Sequence, residues 1–154
     1  MRALLVALML IFGSQAGADA AKIWKVVSPS VVSVLPTWPG YTKPCFGAPV
    51  GTAPEGTGIA ISKDGYILTA AHVIAKATTI EIRDVNNKLA AAHLVFVSTE
   101  TDLAILKVDV ETFAIEFSDE VSEIGSETCV ISNAFGLGLS ITCGVVSAIG
   151  RKNI

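Results

Sequence analysis

An all-β fold is what this sequence predicts, as an antiparallel barrel or sandwich. Three observations carry that reading: short strand-like runs recur from Ser30 to Val108, turn residues separate them, and no stretch has the length and period of a substantial amphipathic helix. The chain has 154 residues, enough for one domain of ordinary size or one and part of another. Its apolar fraction of 51% and charged fraction of 16% supply ample material for a core and exclude a disordered chain.

The first element lies outside that fold. "MRALLVALMLIFGSQAGADA" begins with one positive charge at Arg2, continues with an apolar run from Ala3 to Phe12, and ends in the small-residue pattern Ala18-Asp19-Ala20. This is the layout of a secretory signal peptide, expected over residues 1–20 with cleavage after Ala20. The apolar run is too short for a membrane span, which needs roughly 20 apolar residues. The expected mature chain, residues 21–154, loses one charge of each sign and keeps the formal charge of −3. It has no basic stripe of the kind that binds nucleic acid.

In order along the mature chain, "AKIWKVVSPS" predicts a short helix stopped by Pro29, and "SVVSVL" at 30–35 a strand. Residues 36–56 hold five of the six prolines together with Gly40, Gly47, Gly51 and Gly56, and predict a long surface loop. Trp38, Tyr41 and Phe46 in it are expected to cover the barrel, since long loops often pack on their own side chains, the other use being contact with a partner. "TGIAIS" and "YILTA" flank Lys63-Asp64-Gly65, and an Asp-Gly turn between apolar runs signals a hairpin. "TTIEIRDV" alternates Ile80 and Ile82 with Glu81 and Arg83, giving one buried and one wet face before Asn86-Asn87 turns the chain. "LAAAHLVFV" and "LAILKV" complete six strands. A longer acidic connection leads to "TCVIS" and "LSITCGVVSAIG", a hairpin around "NAFGLG".

Three cysteines, Cys45, Cys129 and Cys143, permit one disulfide in an exported chain. Cys129 and Cys143 are equidistant from Gly136 near the centre of the hairpin turn, which places them opposite one another; a disulfide and two buried thiols both remain open. Neither histidine has a second ligand at metal spacing and no C-x-x-C occurs, so no zinc site and no cofactor are expected.

His72 ends an apolar strand in "GYILTAAHVI", and Asp102 immediately precedes another in "TDLAIL". Alone, each reads as an ordinary strand-end residue. Together at strand ends of one barrel, the carboxylate can fix the imidazole tautomer and leave the other ring nitrogen free to take a proton. His93 lies inside a strand and reads as structural.

"SPSVVSV", "GTGIAIS", "GYILTAAHVI", "TDLAILKV" and "NAFGLGLSITCGVVSAIGR" resemble, in order and near the usual spacing, the blocks of the Deg/HtrA family of trypsin-like serine proteases. The likeness covers roughly 26–151 apart from the loop at 36–56. It implies a trypsin-like antiparallel β-barrel: residues 21–120 as a complete first barrel and 121–154 as the start of a second, only begun. It also implies His72 as general base and Asp102 as its orienting partner.

Ser132 and Ala134 depart from the family's "GNPFG" and are expected to alter a turn more than a mechanism. The larger departure is the nucleophile. No Gly-Asn-Ser-Gly-Gly type segment occurs, and Ser126 and Ser147 have the wrong surroundings. The resemblance therefore implies a fragment of an exported or periplasmic serine endopeptidase of protein quality control, inactive as these 154 residues. Its full form would act on polypeptides, unfolded proteins above all, carry PDZ domains and assemble as a homotrimer. The alternative from another class is a secreted, non-catalytic barrel that binds peptides along an open sheet edge, although such a module has no need of a base and carboxylate pair. Chance coincidence of five ordered blocks in an unrelated barrel is a third reading.

Overall fold

The computed structural model describes residues 19–42, 53–133 and 136–150. The leader read at 1–20 lies outside these except for its last two residues, as do Cys45, Phe46 and Ala134. No helix among the described residues is long and apolar enough to cross a membrane.

Helix α1 spans Ala20–Val27, with Asp19 as its N-cap, accepting from the Lys22 backbone N–H. Pro29 lacks the N–H that would continue it, and the chain passes through a 3₁₀ turn, Ser28–Ser30, into the sheet. Six strands follow: β1 Val31–Thr37, β2 Gly56–Ala60, β3 Tyr66–Ala70, β4 Thr79–Arg83, β5 Leu89–Ser98 and β6 Leu103–Val108. Every pairing is antiparallel, and the order β1-β2-β3-β6-β5-β4 closes because β1 pairs with both β2 and β4. Closure leaves this sheet no free edge.

Alternation along the strands fills the interior. Val32 and Val34 of β1, Ile67 of β3, Ile82 of β4 and Ala104, Leu106 and Val108 of β6 form one apolar cluster. Ile67 and Leu106 are partners across the β3–β6 ladder and both are fully buried. The Asp-Gly turn sits where the sequence predicts it. Gly65 is at φ +91°, and a Cβ there would lie 2.3 Å from the Val108 carbonyl oxygen, so this corner excludes any side chain. Asn87, at φ 61°, turns β4 into β5, and Asp84 Oδ1 accepts from the N–H groups of Asn86 and Lys88.

Strand β5 is the irregular one. Leu94 pairs with Leu106 but Phe96 with Ile105, so Val95 is an extra residue that bulges the ladder. Leu94, Val95, Phe96 and Val97 are all exposed. Beyond the acidic connection, β7 Glu127–Ser132 and β8 Ser140–Val145 form a separate two-stranded sheet in which Cys129 and Cys143 are direct partners and are joined by a disulfide. The strand expected from Leu139 onward is thus shorter than its apolar run.

Candidate active site

The polypeptide does not run straight from β3 into a loop at the histidine, as a strand-end reading expects. It turns into a one-turn helix, α2, Ala71–Ile74. Ala71 and Ile74, three positions apart, are buried and anchor this turn against the barrel, while the His72 side chain faces solvent. A single turn carries too little periodicity to be read from sequence.

Strand β6 delivers Asp102 to the same end of the barrel. The β3–β6 ladder has Ala70 opposite Leu103, and one step further the Ala71 N–H donates to the Asp102 carbonyl oxygen at 3.0 Å. Asp102 adopts φ 53°, in the left-handed region that Asp tolerates better than most residues. Its carboxylate then meets His72 twice. The His72 backbone N–H donates to Oδ1 at 2.9 Å, and Nδ1 lies 2.6 Å from Oδ2. The same carboxylate therefore fixes both the position of the histidine backbone and the rotation of its ring. These bonds, first that of the imidazole and then that of the backbone N–H, hold the Asp102 carboxyl below its ordinary value of 3.8. With Nδ1 committed, Nε2 is the nitrogen left for proton transfer.

His93 is elsewhere, exposed on β5 opposite Lys107. The two serines with unsuitable sequence surroundings are engaged locally: Ser126 Oγ donates to the Glu123 carbonyl and Ser147 Oγ to that of Val145. Among the described residues no hydrogen bond joins a serine to His72.

A depression of about 470 Å³ opens beside His72, between the barrel and the end of β7. Its walls include Trp38, Tyr41, Gly56, Val73 and Ser132. A second, of about 430 Å³, lies on the other flank of His72 and is lined by Ile74, Leu94, Val97, Thr99 and Asp102. Beneath the first is a polar cluster the sequence does not announce. Asn133, fully buried, donates through Nδ2 to Ser33 Oγ and to Glu55 Oε2, both at 2.7 Å, and through its backbone N–H to Thr57 Oγ1 at 2.9 Å. Its Oδ1 accepts from the Gly138 N–H at 2.8 Å, and Glu55 is ion-paired with Arg83. These partners stand up to 100 positions apart, so no local pattern reveals them. Every polar group of the asparagine side chain is used, and the hairpin is thereby tied to β1, β2 and β4.

A closed six-stranded antiparallel barrel with a histidine and an aspartate paired at one end is the architecture of a trypsin-like peptidase half. Residues 56–154 match the family described as "Trypsin-like peptidase domain", and the chain belongs to that family. Within it, the chain is of the Deg/HtrA type. It is 32% identical over 138 residues to the serine endoprotease DegS of Haemophilus influenzae, covering 84% of this chain and 39% of that protein. It is 39% identical over 99 residues to a Halomonas elongata protein named "Probable periplasmic serine endoprotease DegP-like", covering 62% of this chain and 21% of that one. Among solved structures, the HtrA-type protease AlgW with tripeptide superposes with a TM-score of 0.76 at 28% identity, over 89% of this chain and 42% of that one. The serine endoprotease from Yersinia pestis does so with a TM-score of 0.73 at 30% identity, over 89% and 47%. The chain thus spans less than half the length of each.

Proposed function

We propose that this chain carries the general base and the orienting carboxylate of an exported, periplasmic serine endopeptidase of the Deg/HtrA type that acts on polypeptides in protein quality control. The observation that carries the reading is the double engagement of His72 by Asp102 through both carboxylate oxygens. In the reaction, His72 Nε2 takes the proton of a serine hydroxyl as that oxygen attacks the peptide carbonyl, and later returns it to the leaving amine; Asp102 holds the tautomer and stabilises the imidazolium. The serine and the oxyanion donors belong to a segment that this 154-residue sequence does not contain. In this reading residues 21–120 are the first barrel, 121–154 open the second, and the remainder of a longer protein completes the site, with PDZ domains and a trimeric assembly as in the family. The closed barrel weighs against the peptide-binding alternative, because that reading needs an open edge and only β7 and β8 offer one among the described residues.

The test restores the missing half by fusing the second-barrel region of a close relative. The 154-residue chain alone should neither hydrolyse casein nor react with a fluorophosphonate, and the fusion should do both. His72→Ala in the fusion should lower kcat by several orders of magnitude and Asp102→Asn by on the order of 10⁴, while His93→Ala should be nearly silent. A loss below about tenfold for either of the first two, in a variant with the parent's melting transition, would sink the assignment.

A further inference from the structure

We propose that the depression bounded by Trp38 and Tyr41 is a subsite that takes an aromatic or large apolar side chain of the polypeptide, next to the bond cleaved at His72. The inference rests on the reading of His72 as the base, since that is what brings a polypeptide to this place.

Three observations support it. First, the imidazole is itself part of the wall, so a chain whose scissile carbonyl reaches His72 brings its neighbouring residues within reach of the depression. Successive residues of an extended chain are only about 3.3 Å apart. Second, the walls are made for apolar contact. Trp38 and Tyr41 stand edge to face, with ring centroids 5.5 Å apart and planes at 72°, and Val73 forms part of the opposing surface. Gly56 is required for this shape: a Cβ there would lie 2.5 Å from Val73 Cγ1 and push that side chain out of place. The Trp38 Nε1–H is buried and has no hydrogen-bond partner among the described residues. Third, the charge present is already spent. Glu55 lines the depression, but its carboxylate is paired with Arg83 and accepts from Asn133, so an incoming lysine or arginine finds no free anion. Trp38 and Tyr41 lie in the segment 36–56, outside the five blocks that resemble the family.

The test uses the 154-residue chain labelled with ¹⁵N, in which the indole N–H signals of Trp24 and Trp38 are assigned by Trp24→Phe. N-acetyl-phenylalaninamide should shift the Trp38 signal saturably and leave that of Trp24 unmoved. N-acetyl-alaninamide and N-acetyl-lysinamide should bind at least tenfold more weakly. Tyr41→Ala should weaken binding of the phenylalanine probe by a similar factor, with the barrel amide spectrum unchanged. No saturable shift, equal binding of the three probes, or an unaltered affinity in Tyr41→Ala would each overturn the proposal. Should Tyr41→Ala disturb the barrel spectrum, Tyr41→Phe decides instead: the ring alone makes the wall, so its affinity must match the parent, and a loss overturns the subsite. The titration reads only the walls, whereas the fusion assay reads the His72–Asp102 pair, so failure of one is distinguishable from failure of the other.

Discussion

Strands β3 and β6 bury Ile67 and Leu106 completely as direct partners, whereas the paired strands β7 and β8 leave Val130 and Val145 more than half exposed. Both sheets are antiparallel, but the barrel wraps its apolar residues around one interior and the hairpin has no interior to fill. A two-stranded sheet is marginal on its own in water. Here it is held by other means: the Cys129–Cys143 disulfide across its middle and the buried Asn133 at its end. Apolar packing makes the barrel a cooperative unit, while a few polar and covalent ties make the hairpin an attachment. The contrast bears on function, because Ser132 and Asn133 sit beside the depression at His72.

The strongest way to break this comparison is to remove the covalent tie. The disulfide closes a loop with a sequence separation of 14, and a loop of about 15 residues is worth roughly 3 kcal/mol in the chain-entropy account. In the double variant Cys129→Ser, Cys143→Ser, amide hydrogen exchange over 127–132 and 140–145 should accelerate by about a hundredfold. Amides of β3 and β6 should keep their protection. If the barrel amides accelerate equally, the two sheets unfold as one and the contrast is wrong.

How much of this was legible in the sequence follows the same division. Period-two alternation and turn chemistry delimit the barrel strands to within one or two residues, because burial of one face is a local constraint written into each strand. Strand β5 shows where that fails: Leu94 to Val97 is a continuous apolar run, and neither its bulge nor its exposed face can be read from composition. The pairing of His72 with Asp102 was suggested by motif order, but the α2 turn that presents the histidine was not, since Ala71–Ile74 is too short to show a period. Arg83 reads from the strand's alternation as a residue of the wet face, whereas it is largely covered and ion-paired with Glu55, and neither Glu55 nor Asn133 is marked by any sequence pattern. A long-range polar cluster has no spacing rule, and each member alone resembles a solvated surface residue. The disulfide lay between, since hairpin symmetry put the cysteines opposite each other without deciding their oxidation.

Removing the polar tie comes next in size. Asn133→Ala leaves Ser33 Oγ and Glu55 Oε2 without the amide donor, and burying a group stripped of its partner costs about 1–3 kcal/mol. Exchange over β7 and β8 should rise by about tenfold or more, less than on loss of the disulfide, because the hairpin stays closed and keeps the backbone bond from residue 133 to Thr57 but loses its side-chain ties to Ser33 of β1 and to Glu55. Should Asn133→Ala instead lower the protection of β3 and β6 as much as that of β7, the asparagine would be part of the barrel's own core and not a clamp.

The smallest effect belongs to the barrel's exposed polar clamp, and its pH dependence sharpens the contrast with the buried one. Asp102 ties α2 to β6 through His72, yet about half of its side chain is exposed, so solvent screens the interaction. Its folded-state value lies below the ordinary 3.8, chiefly through the imidazole bond. A carboxyl depressed on folding contributes stability above its unfolded value, and that contribution is lost as pH falls through the folded value. The melting temperature of the parent chain should therefore exceed that of Asp102→Asn by a small margin at pH 5, and that margin should shrink in more acid solution. Titration of the Asp102 carboxyl carbon should show a midpoint below 3.8, with no matching change at Asn133, which does not titrate. A midpoint at or above 3.8, or a margin that persists unchanged into strong acid, would mean that the Asp102–His72 contact is not the charge-assisted pair its geometry indicates.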